Sequence, residues 1–115
     1  RHPANARSFD LVKSLDIRIP HGLDQAEVRR RLDAAVERAR RDYADKVSRL
    51  DASWETEDCL ALEVVVLGME IDGTVTNEPG QLVISIEMPG MLSMFAGQIR
   101  NGIEERIGGL LKAPA

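Results

Sequence analysis

The chain has a single cysteine, Cys59, so it can form neither an internal disulfide nor a multi-cysteine metal site. Aromatic residues make up only 3% of the sequence, which leaves leucine, isoleucine, valine and methionine to fill the interior. Two histidines are present, and His2 sits in the polar leading segment, so His21 is the one imidazole available inside a folded domain. No apolar run approaches the roughly 18 residues that a membrane-spanning helix requires. Residues Arg1 to Ser8 hold no apolar signal core. Basic residues are scarce in the second half: from Val47 to Gly90 nine acidic residues stand against Arg49 alone. A nucleic-acid partner needs a basic face to neutralise phosphates. This stretch repels them, so no nucleic-acid binding is expected.

What is present is a folding composition, 43% hydrophobic and 30% charged, with a net charge of −4. The 115 residues suffice for one domain with a core that needs no covalent staples. That domain is expected over residues 15–112, after a flexible N-terminal segment of residues 1–14 and before a tail of residues 113–115. A lone cysteine and the missing signal core fit a reducing, cytoplasmic setting.

Leu15, Ile17 and Ile19 alternate with Asp16 and Arg18, the period of a half-buried strand. Pro20-His21-Gly22 ends it. Asp24 stands three residues before Glu27, an acidic form of the capping box. Val28, Leu32, Ala35, Val36, Ala39, Tyr43 and Val47 then recur at steps of three and four, which predicts an amphipathic helix from Asp24 to Lys46. Its pairs Glu27–Arg31, Glu37–Arg41 and Asp42–Lys46 place the acid first, the favourable order on an exposed face. The run Arg29-Arg30-Arg31 is therefore read as solvated helix surface.

Beyond Lys46 the period changes to two. Leu50, Ala52 and Trp54 form one apolar row, Leu60, Leu62 and Val64 a second, and Ile71, Gly73 and Val75 a third. Asn77-Glu78-Pro79-Gly80 predicts a turn, because proline presets one dihedral and glycine permits the positive one. Leu82, Ile84, Ile86 and Met88 make the last strand, which Pro89-Gly90 breaks. Leu92, Phe95, Ile99, Ile103, Ile107 and Leu110 follow at helical spacing, although Gly97, Gly102, Gly108 and Gly109 lower the propensity of that helix.

The order is β-α-β-β-β-β-α. Short turns between four successive strands imply an antiparallel meander, so the fold class is α+β: a five-stranded antiparallel sheet with both helices on its apolar face. The other face carries Asp16, Asp51, Glu55, Glu63, Asp72 and Glu87 and is read as the wet side. Their spacing alone does not bring carboxylates together, and no metal site is expected.

His21 has no serine or cysteine partner in view and is read as a hydrogen-bonding residue at the strand-to-helix corner. Cys59 is read as a small buried hydrophobe, and Trp54 as core. No catalytic, cofactor-binding or metal-binding residue is expected, since nucleophile elbow, metal set and phosphate loop are all missing. In a meander, the turn between the third and fourth strands lies at the same end as the exit of the fifth. Val66, Leu67 and Met69 surround that turn, and Met88, Met91, Leu92, Met94 and Phe95 occupy that exit. All four methionines fall in these two places. Methionine is flexible and polarizable, and is favoured on adaptable binding surfaces. Turns are normally polar, so two readings stand: the segments pack on each other and close the core, or they expose an apolar end that docks onto a partner.

Residues Leu15 to Leu111 resemble the polyhydroxyalkanoic acid system proteins, small bacterial proteins associated with the storage-polyester gene region. The resemblance rests on Ile17, Pro20-His21 and Leu23 before an Ala26-bearing helix, and Trp54 on the next strand. The glycine-punctuated hairpin and the ending Leu92…Phe95…Gly97…Ile99…Ile103-Glu104 complete it. The methionines before Phe95 depart from the leucines and proline more usual there. The resemblance implies a role in storage-polyester metabolism, and with no catalytic motif in view the expectation is a non-enzymatic accessory protein that works by binding. Its partner would be a polyester granule surface, a granule-associated protein or an apolar ligand. Pairing of the last strand with the first would give the sheet order 1-5-4-3-2, a shortened helix-grip arrangement. Proteins of that class often hold apolar ligands between sheet and C-terminal helix, so a small carrier is the alternative expectation. An enzyme acting on acyl chains is the third.

Overall fold

In the computed structural model, residues 12–112 are described. Strand β1 (Val12–Pro20) is followed by helix α1 (Gln25–Asp42) and four strands, β2 (Val47–Trp54), β3 (Cys59–Val66), β4 (Met69–Glu78) and β5 (Gln81–Pro89). A 3-10 turn (Gly90–Phe95) leads into the last helix, α2 (Ala96–Lys112). The sheet order is β1-β5-β4-β3-β2 with every neighbouring pair antiparallel. Element order, sheet class and strand order are those expected. The sheet begins earlier than expected, since residues 12–14 belong to β1 and not to a flexible segment. Residues 1–11 and the tail 113–115 lie outside the described residues.

The helix start follows the capping chemistry: the Asp24 carboxylate accepts from the Glu27 backbone N–H at 2.9 Å. Its end differs from the expectation. The periodic row continued through Tyr43 to Val47, but α1 stops at Asp42. The backbone N–H groups of Lys46 and Val47 both turn back to the Tyr43 carbonyl, at 2.9 and 2.8 Å. Val47 then opens β2 opposite Val66, with a register shift between Val47 and Arg49 that leaves Ser48 as a bulge. An apolar row of period 3.6 runs into one of period two here, and for a few residues both fit. Glu27 does pair with Arg31, but Glu37 pairs with Arg40 and not Arg41, and Lys46 falls outside the helix.

One sheet face is apolar in register across the strands. Ile17 lies opposite Ile84, Ile84 opposite Val75, and Val75 opposite Leu60. With Val28 and Leu32 of α1 and Leu111 of α2 these residues form the buried core, on which Ile99, Ile103 and Ile107 of α2 also pack. Both helices thus cover the same face. Gly73 lies on it opposite Leu62 and Ile86; a Cβ there would sit 3.3 Å from the Ser85 carbonyl oxygen, so glycine permits the close approach of β4 and β5.

Arg31 departs from the solvated reading. It is 6% exposed, donates to the Leu110 carbonyl at 2.8 Å and to Glu27 at 2.6 Å, and so ties the end of α2 to the start of α1. Arg29 lies over the Trp54 ring at 4.2 Å, leaving Arg30, paired with Glu27, as the solvated member of the run.

Candidate functional site

The β4–β5 ladder ends at Asp72 opposite Glu87, whereas the β3–β4 hairpin continues for three more pairs to Val66 opposite Met69. The hairpin therefore runs past β5 as an arm, with β2 still paired along β3 as far as Val47 opposite Val66. Leu67 and Gly68 close it with φ of 54° and 78°. Two positive dihedrals in a two-residue loop match the twist of the flanking strands, and asparagine-glycine is the favoured pair there. A leucine in the left-handed region crowds its Cβ against the backbone. Leu67 is nonetheless in that position, 83% exposed to water.

On the other side of this end, β5 leaves the sheet through Met88, which is 2% exposed and belongs to the core. Pro89 cannot continue the ladder as a donor, and the chain coils into the 3-10 turn. Leu92 turns inward against the core, while Met91, Met94 and Phe95 are 70%, 79% and 45% exposed. A 3-10 stretch stands where the sequence predicted regular helix from Leu92. Its main packing contacts run to β1, β5 and α2.

The eight residues of the expected apolar end thus divide. Met88 closes the core, and Val66, Met69 and Leu92 are half-buried. Leu67, Met91, Met94 and Phe95 are exposed, and they are the exposed large hydrophobics among the described residues. Core closure accounts for Met88 and Leu92 and not for those four.

The other singled-out residues have structural partners. Nδ1 of His21 accepts from the Leu23 backbone N–H at 3.1 Å, so Nε2 carries the proton and donates to Asn77 Oδ1 at 2.8 Å. Asn77 itself belongs to β4, and the turn is the tighter Pro79-Gly80, with Gly80 at φ 84°. Cys59 is half-buried, on the face opposite Leu60, and receives the Thr76 hydroxyl at 3.8 Å. Trp54 packs on the core and donates to Asp33 at 2.9 Å.

The outer face holds a feature that residue spacing did not disclose. Asp51, Glu63, Asp72 and Glu87 stand opposite one another across four strands. They border a groove of about 490 Å³ floored by Ser53, Ala61, Thr74 and Ser85. Glu63, Glu70 and Asp72 bring carboxylate oxygens within 4.8 Å of one another, a donor set that could hold a cation. Arg49 bonds Asp51 at 2.6 Å and Glu63 at 2.9 Å. A hydrogen bond to Glu63, with the charges of Glu63 and Asp72, pushes the Glu70 carboxyl above its ordinary range. The convergence was legible only through the turn: Glu63 stands four residues before Leu67 and Asp72 four after Gly68, so a two-residue loop sets them opposite.

A smaller cavity of about 160 Å³ lies between α1 and the sheet beside Val36, Trp54 and Leu60. It is under the first helix and below the volume of ordinary small-molecule sites. No helix among the described residues is long and apolar enough to cross a membrane.

Comparison with known proteins places this geometry. A START superfamily protein from Mycobacterium smegmatis superposes with a TM-score of 0.51 at 6% identity, over 89% of this chain and 97% of the other. The di-domain ARO/CYC protein BexL, from the BE-7585A biosynthetic pathway, gives 0.49 at 10% identity, over 92% of this chain and 52% of the other. The START likeness is one of fold and places the chain in the helix-grip arrangement. No curated protein matches the sequence. A profile of the polyhydroxyalkanoic acid system proteins matches residues 15–111. The chain belongs to the polyhydroxyalkanoic acid system protein family.

Proposed function

We propose that this protein is a non-enzymatic accessory protein of storage-polyester metabolism that docks on the polyester granule through its apolar end. The observation that carries the reading is the exposure of Leu67 on the β3–β4 turn and of Met91, Met94 and Phe95 where the chain leaves β5, at the same end of the sheet. The backbone at Leu67 adds weight. An exposed leucine in a left-handed position is unfavourable for hydration and for conformation alike, and such outliers collect at functional sites. The family supplies the polyester; the exposed side chains supply the means of contact. Docking at the granule would put the working protein in the cytoplasm at a polymer surface.

Replacing Leu67 and Met91 together with glutamate tests the reading. Burial of each side chain contributes roughly 1.5–3 kcal/mol, so losing both anchors weakens docking about a hundredfold or more. Folding is expected to hold, because both side chains are already in water. The measurement is co-sedimentation with isolated granules beside a thermal melt of the same variant. Wild-type protein that stays in the supernatant, or a folded variant that sediments normally, would sink the proposal.

A further inference from the structure

Resting on the docking reading, we infer that the apolar end selects an uncharged ester-polymer surface and rejects an anionic phospholipid surface. The argument is from charge. Residues Val64 to Met69 on the arm and Met88 to Ile99 beyond β5 contain no charged residue. The first charges reached along these strands are Glu63 and Glu70 on the arm and Glu87 on β5, all acidic, with Asp72 beside them. Arg49, the nearest cation of β2, is engaged by Asp51 and Glu63. Lys13, opposite Met88 in the register, and Arg100, which follows Ile99 and donates to the Asp16 backbone carbonyl at 2.9 Å, are two cations against four carboxylates. Across the turn from α1 to β2, Arg41 and Lys46 are balanced by Asp42 and Asp45.

Protein segments that settle on anionic membranes do the opposite: they flank their apolar residues with lysine and arginine, which the negative surface potential attracts. Here a neutral apolar tip is bordered by negative charge. Bringing it to phosphatidylglycerol headgroups sets carboxylates against phosphates, whereas an ester polymer presents no charge to oppose it. Moderate salt therefore weakens the discrimination and leaves polymer docking itself unchanged.

The test is flotation of the full chain with three probes: poly(3-hydroxybutyrate) nanoparticles, phosphatidylcholine vesicles and phosphatidylglycerol vesicles. Wild-type protein is expected on the nanoparticles, with phosphatidylglycerol binding at least about tenfold weaker at low salt. The double variant Glu70→Lys/Glu87→Lys is expected to gain about tenfold on phosphatidylglycerol and to keep its nanoparticle binding, with a melting curve confirming the fold. Equal wild-type binding to nanoparticles and phosphatidylglycerol vesicles, or no gain in the folded double variant, overturns the selectivity and leaves docking standing. Binding to none of the three probes overturns docking and selectivity together.

Discussion

At Leu67 the needs of folding and of docking oppose each other. The left-handed backbone there suits asparagine better than leucine, and water suits it better as well. Leu67→Asn is expected to raise stability by about 1 kcal/mol, or about 4 °C in Tm for a domain of this size, while granule binding falls. A scanning melt and the co-sedimentation assay read the two effects separately; a variant that gains stability and binds fully removes Leu67 from the contact. Met88 and Met91 make the matching contrast, three residues apart. Met88→Ala empties a buried position and should cost about 2–4 kcal/mol. Met91→Ala, at an exposed position, should stay within about 0.5 kcal/mol. Chemical denaturation of the pair checks both. Sequence disclosed that these methionines cluster but not which face the core, because burial is decided by neighbours far along the chain.

Among the elements, α1 is tied down near its start from two sides. Its start is tied to the β2–β3 loop by Gln25 on Asp58, at 2.6 Å, and by Arg29 on the Glu57 carbonyl, at 3.0 Å. Nearby, Arg31 reaches the Leu110 carbonyl in the last turn of α2, where backbone acceptors lack intrahelical partners. Arg31→Ala removes that bond and leaves a carbonyl to be rehydrated, which should lower stability by about 2–3 kcal/mol. Amide hydrogen exchange should quicken in the last turn of α2 before the sheet is affected. Exchange that changes equally throughout would mean that Arg31 holds no local joint. The helix itself was visible from its cap and its apolar stripe. The role of Arg31 was not, since an arginine beside two others on an amphipathic segment reads as solvent-facing until α2 is known to cross above it.

For the molecule as a whole, acid stability follows from two carboxyl groups shifted in opposite directions. Hydrogen bonds from Arg30 and then Arg31 lower the Glu27 pKa from 4.5 to about 2. In that interval the unfolded chain binds the additional proton, so the stabilisation by Glu27 is complete above 4.5 and is lost as pH falls toward 2. Glu70 is raised, so the folded state holds the additional proton above 4.5, and stability declines as pH rises through the shifted value. Melting temperatures between pH 2 and 7 should therefore show Glu27→Gln flattening the acid limb. Glu70→Gln should stabilise the protein at neutral pH and match wild type below about pH 4. A Glu70→Gln variant no more stable than wild type at pH 7 would mean that the carboxylates are too well solvated to repel.

By itself the sequence determined what depends on near neighbours. Alternation in Leu15 to Ile19 and Leu82 to Met88 set which side chains enter the core, Asp24 set the start of α1, and Pro79-Gly80 set a turn. The order of these elements then admitted the sheet β1-β5-β4-β3-β2. Tertiary structure decided what depends on distant parts of the chain meeting. It buried Arg31 under α2, brought Glu63, Glu70 and Asp72 together across a turn, and divided the methionines between core and water. The reason is geometric. Local periodicity reports the direction of a side chain relative to its own strand or helix, whereas exposure and charge coupling depend on which other element occupies the space it points into.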